Sequence, residues 1–192
     1  EERLAVVVGQ AIDMWRVVEP FVTTLEVAVR WAEPSQLQPW ASTIQSLAAE
    51  AGKPRSGMTA LLGLRYLPGT VGVMSVGMTA VQSGRWDNLK VLLVDPTTVA
   101  SRGERPRILL DVFHPWAAFR DSGEWVPYTL ARTAQHGEDP RTAAAAANKR
   151  TSKFYTPVAE WLYGVLRPGL ADLYPDDDAY ARDFDTAEVM LG

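Results

Sequence analysis

The chain has 192 residues, of which 19 are basic and 23 acidic, for a formal charge of −4; 47% of residues are hydrophobic and 22% charged. That is the composition of a folded globular chain about one domain long. The lack of cysteine excludes a disulfide framework, a thiol nucleophile and Cys-ligated metal, two histidines exclude a three-histidine metal site within one chain, and the acidic balance disfavours nucleic acid as a partner.

Residues 3–19 place Leu4, Val8, Ala11, Trp15 and Val18 at helical spacing, which predicts an amphipathic helix. Gln10, Asp13 and Arg16 interrupt the apolar run, so it is not a signal peptide. Pro20 permits a new start, and Phe21, Leu25, Ala28 and Ala32 continue the helical spacing. The β-branched residues Val22, Thr23, Thr24, Val27 and Val29 leave a strand open over 21–32, with helix favoured. Ser35 is a natural N-cap for a helix carrying Leu37, Trp40, Ile44 and Leu47, which Gly52 and Pro54 stop.

Residues 58–83 are apolar nearly all round, which predicts a central helix that Pro68 kinks or splits. Residues 66–83 carry no charge, but Pro68, Gly69, Gly72, Gly77 and several hydroxyls make the stretch a buried helix rather than a membrane span. The glycines leave room for close helix approach. Gly84 ends the segment, and Trp86 to Val94 reads as a short amphipathic helix.

The region of about 97–136 reads as irregular, with a short strand or buried loop over 107–113 and loop-like aromatics around Trp116 and Trp125. Asp139-Pro140 opens a helix through the alanines at 143–147. Thr156-Pro157 opens another that carries Trp161, Val165 and Leu166. Asp176 to Asp178 opens the last, with Tyr180, Phe184, Ala187 and Leu191 as its core stripe. The expected fold is therefore all-α in the main: a helical array around 58–83, with loops or short strands at about 97–136. The chain starts without Met and carries apolar residues close to both ends. It is read as a single helical domain, 1–192, from a longer protein.

Three constellations carry chemistry. Asp111 and His114, with His136 in a later loop, have the residue types for one divalent cation, but Asp-x-x-His is common and His-Glu-x-x-His is absent. His114 beside Pro115 and Trp116 also suits local hydrogen bonding, and His136 before Gly137 suits a helix end. Ser75 lacks the preceding glycine of a nucleophile elbow and reads as a small residue at a helix contact. The loop Gly52-Lys53-Pro54-Arg55-Ser56-Gly57 has phosphate-loop residue types in the wrong order, and its proline removes an N–H; it reads as an interhelical connection.

Charge is uneven. Residues 102–153 hold nine basic and six acidic side chains, whereas 154–192 hold two basic and eight acidic. Two readings follow: a basic patch for phosphate or an acidic partner, or two solvated faces that complement each other, the second being favoured. Of the seven tryptophans, Trp15, Trp40 and Trp161 fall on core stripes. Trp116 and Trp125 are either binding-surface aromatics or plugs over the core.

The tail Tyr163-Gly164-Val165-Leu166-Arg167-Pro168, with Leu173-Tyr174-Pro175-Asp176-Asp177 and Glu188-Val189-Met190-Leu191, resembles the helical C-terminal regions of large actinobacterial proteins. So does Arg65-Tyr66-Leu67-Pro68 ahead of a small-residue helix. Those proteins carry sirtuin-like or Schlafen/AlbA-like effector domains. The resemblance implies an accessory helical domain and no chemistry.

The first functional reading is a non-catalytic regulatory or protein-interaction domain. Its partner is another protein, a copy of itself or the rest of its own chain, in the cytoplasm, with no membrane and no cofactor. The second reading is a small-molecule or nucleotide sensor using the 102–128 region; the third is a divergent metal-dependent hydrolase. The working residues are expected at Arg105, Arg107, Trp116, Arg120 and Trp125, with Asp111, His114 and His136 as the metal candidates.

Overall fold

The computed structural model describes residues 2–98, 105–147 and 156–191, without the side chains of 135, 136, 146 and 147. Helices carry most of these residues, so the all-α expectation holds.

Helix α1, Glu2–Trp31, is one unbroken rod of 30 residues, about 45 Å long at 1.5 Å per residue. Pro20 does not restart it. Pro20 and Arg16, the residue one turn earlier whose carbonyl loses its partner, are both exposed, where water replaces the missing bond. The strand alternative over 21–32 is thereby excluded: Val22, Leu25, Ala28 and Val29 are buried in the core, and packing overrides their local β preference.

Helix α2, Gln38–Gly52, buries Ala41, Ile44, Ala48 and Ala51. Ser35 is not its N-cap. Pro34–Gln36 forms a 3-10 turn instead, with the Glu33 amide donating to Gln36 Oε1 at 2.9 Å, and α2 starts with Pro39 in its first turn.

The apolar 58–83 segment is divided. Helix α3, Thr59–Gly63, runs through a 3-10 turn at Leu64–Tyr66 into helix α4, Leu67–Ser83. Pro68 sits in the first turn of α4, where its missing N–H costs nothing. Every residue from Gly69 to Ala80 is buried, so the centre of the fold is α4 and not the whole of 58–83; Met58 is 41% exposed. Helix α1 packs along α4. A Cβ at Gly69 would fall inside the Phe113 ring, and one at Gly77 would meet Leu191. Gly84 closes α4 in the left-handed conformation at φ 67°.

Helix α5, Trp86–Leu89, continues as a π-helix, Lys90–Val94. Strands β1, Thr97–Thr98, and β2, Arg107–Ile108, pair antiparallel with Thr97 opposite Ile108. Helix α6 is the single turn Leu109–Val112, after which residues 113–124 run through successive turns.

Helix α7, Trp125–His136, corrects the loop expected around Trp125. Pro127 sits within its first turn, where proline removes a donor that needs no partner. Gly137 closes α7 at φ 62°. Helix α8, Pro140–Ala147, opens on Asp139, whose Oδ2 accepts from the Thr142 amide at 3.1 Å. Helix α9, Pro157–Leu166, packs against α7. Helix α10, Asp177–Leu191, opens on Asp176, which accepts from the amides of Asp178 and Ala179, and packs against α4. Its stripe Tyr180, Phe184, Ala187 and Leu191 is buried as expected. Among the described residues, no helix is long and apolar enough to cross a membrane.

Candidate functional site, a basic cleft

The loop after α2, helix α3 and the turns after α6 enclose a cleft of about 280 Å³. Its lining carries Lys53, Arg55, Arg65, Arg107 and Arg120, with Asp121 the one carboxylate among the lining residues. Its lining also includes the uncharged residues Leu62, Gly63, Tyr66, Val112 and Ala117. Five cations against one carboxylate, over low-dielectric walls, concentrate positive potential on a chain whose net charge is −4.

Each part of this geometry has a local cause. Helix α2 ends with carbonyls that lack intrahelical partners. Arg65 caps this end: Nη1 donates to the Lys53 carbonyl at 2.8 Å, and Nη2 donates to that of Glu50, which also accepts from the Lys53 amide. That bond set ties α2 to the 3-10 turn and fixes the wall between them. Lys53 also meets Glu50, but both side chains are more than half exposed, and such pairs hold their partners weakly. The neighbouring cations hold the Glu50 carboxyl below its ordinary range, the Lys53 contact foremost.

On the opposite wall, Arg107 Nη2 donates to the Asp111 carbonyl at 2.6 Å, and Arg120 Nη2 lies 3.3 Å from His114 Nε2. Each contact aims a guanidinium while committing one of its five N–H donors. Burial pushes the His114 imidazole below its ordinary pKa, and the positive charges of Arg120 and Arg107 push it further, with Asp111 opposing. A neutral ring is therefore the acceptor for Arg120. The 113–120 turns are seated by two glycines: Phe113 lies on Gly69, and the Ala118 carbonyl would stand 2.8 Å from a Cβ on Gly63.

Of the expected site residues, Arg107 and Arg120 line the cleft. Arg105 is exposed beside β2 but does not line it. Trp116 and Trp125 are 38% and 49% exposed and also lie off the cleft. Asp111 and His114 are near each other: the Asp111 backbone carbonyl accepts from Arg107, and Arg120 lies against His114 Nε2. Among the described residues, no three His, Asp or Glu side chains form a metal-holding group. The His136 side chain, Arg102, Glu104, Lys149, Arg150 and Lys153 lie outside the described residues. The ion pairs Arg132–Glu138 and Arg167–Asp177 each fall within one of the two charge segments, 102–153 and 154–192.

Lys53, Arg55, Arg65 and Tyr66 are the cleft residues that sequence reasoning did not select. The signal for Lys53 and Arg55 was the basic loop 52–57, set aside because its order does not match a phosphate loop; Arg65 and Tyr66 lie in the following 3-10 turn and carried no such signal. The cleft is lined by side chains from separate segments, so the order within the loop does not bear on it. No protein-family profile, curated protein or solved structure matches the chain.

Proposed function

We propose that the protein is a non-catalytic regulatory domain that senses a small molecule through an anionic group bound in the basic cleft. The observation that carries this reading is the convergence of Lys53, Arg55, Arg65, Arg107 and Arg120 on one cavity with a single lining carboxylate. Arginine suits the task because its planar fork matches phosphate and carboxylate oxygens two at a time. The aims of Arg107 and Arg120 are set by contacts already made, which lowers the ordering cost of binding. A cytoplasmic setting and an accessory role beside an effector domain belong to the same reading.

Isothermal titration of the protein with phosphate and phenyl phosphate at low salt tests it. Binding of at least one of them, weakened at least tenfold in an Arg107→Ala/Arg120→Ala double variant, is the expected result. No binding of either, or binding indifferent to the double variant, overturns it.

Exposed Trp116 and Trp125 support a second reading, a protein-interaction surface for another protein, a further copy or the rest of a longer chain. Sedimentation of wild type and Trp116→Ala/Trp125→Ala tests the self-association form of it; a concentration-dependent mass lost in the variant is the supporting result.

A further inference from the structure

We infer that the ligand of the basic cleft is an organic anion, a phosphate or carboxylate head joined to an apolar body about one ring in size, rather than an inorganic anion. This rests on the anion-site reading and adds to it. Besides its charged side chains the cleft is lined by Leu62, Tyr66, Val112 and Ala117, whose side chains are aliphatic and aromatic and are taken together as its floor. Leu62 and Tyr66 are only half-buried, so their surface at the cleft is covered by water when the site is empty. The size agrees. A cavity of about 280 Å³ has the room of roughly nine waters at about 30 Å³ each, well beyond the five heavy atoms of a phosphate. Its volume lies at the lower edge of small-molecule sites, which run from about 300 Å³. An inorganic anion at the charged side chains would leave the apolar floor wet, whereas a ring on that floor removes apolar surface from water on both sides.

The floor is also held in place independently of the charges. Gly63 is buried against the Ala118 carbonyl, and the Tyr66 ring meets the Phe113 ring edge-on at 6.3 Å between centroids. The body of the ligand therefore meets a preformed surface.

Titration with phosphate, phenyl phosphate and benzoate separates head from body. Phenyl phosphate is expected to bind at least tenfold more tightly than phosphate, and benzoate measures whether a carboxylate head serves as well. Leu62→Ala is expected to weaken phenyl phosphate severalfold and leave phosphate unchanged; the ligand series on the wild-type protein decides the matter even if that variant folds poorly. Equal affinities for phosphate and phenyl phosphate, both lost in Arg107→Ala/Arg120→Ala, overturn the apolar body and keep the anion site. No binding of any of the three overturns both.

Discussion

Arg120 donates toward a histidine rather than a carboxylate: its Nη2 lies 3.3 Å from His114 Nε2. The contact holds only while the imidazole is neutral, and burial together with Arg120 and Arg107 keeps its pKa below the ordinary 6.5. A histidine whose folded pKa is depressed binds fewer protons in the folded state than in the unfolded state between the two values. Stability is thus complete above about pH 6.5 and is lost as pH falls below it. His114→Gln, which keeps an acceptor without a titrating ring, is expected to flatten that slope in urea unfolding between pH 5 and 7. An NMR titration placing His114 at or above 6.5 would contradict the prediction.

The same charges couple the histidine to the cleft. An anion bound by Arg107 and Arg120 cancels the two positive charges that depress the His114 pKa. Adding phenyl phosphate is therefore expected to raise the His114 titration midpoint. NMR titration of the His114 ring with and without the ligand checks this; an unmoved midpoint would mean that the anion sits elsewhere.

Glu26 is the opposite case, an acid in the core. It is 6% exposed, and Ser75 donates to its Oε1 at 2.7 Å. Burial raises its pKa above the ordinary 4.5, with the Ser75 bond opposing. A raised acid binds more protons folded than unfolded, so stability falls as pH rises from about 4.5 to the folded value and stays reduced above it. Glu26→Gln keeps an acceptor for Ser75 and sheds the charge. The variant is expected to match wild type near pH 4 and exceed it at pH 7; a variant less stable at pH 7 would show that the buried charge is compensated.

How much of this was legible depended on whether a signal lay within one element. The stripe of α10 and the stop at Gly84 are local patterns, and they read correctly. Pro20 misled because proline's effect depends on position, and an exposed helix face tolerates it. The cleft could not be read as a unit. Arg107 and Arg120 stood out in their own region, but Arg65 and the 52–57 loop join them only through the packing of α2, α3 and the 113–120 turns. Trp116 and Trp125 were selected for residue type, which does not say where a ring points.

Two glycines separate packing from helix propensity. Gly69 touches the Phe113 ring so closely that a methyl has no room, while a Cβ at Gly9 in α1 would meet nothing within 4 Å. Gly69→Ala is expected to cost about 1–3 kcal/mol or more by overpacking. Gly9→Ala is expected to gain about 0.5–1 kcal/mol by helix propensity. Urea unfolding of both variants checks the pair, and a neutral Gly69→Ala would mean that Phe113 is not seated on α4.

The tryptophans divide in the same way between core and surface. Trp161 is 2% exposed on α9 and meets Phe119 edge-on, with 5.6 Å between ring centroids. Phe119 is itself fully buried and precedes Arg120, so the pair anchors the turn that carries Arg120 to the cleft. Trp125, at the start of α7, is half exposed. Trp161→Ala is expected to cost about 3–5 kcal/mol, the range for removing a buried aromatic ring, while Trp125→Ala stays below about 1 kcal/mol, as exposed positions do. A milder Trp161→Phe is expected to fold and still loosen the cleft, weakening phenyl phosphate without touching a lining residue. Thermal unfolding and titration of the three variants decide it: a large loss at Trp125 would place that ring in the core, and unchanged anion affinity in Trp161→Phe would detach Arg120 from the Phe119 anchor.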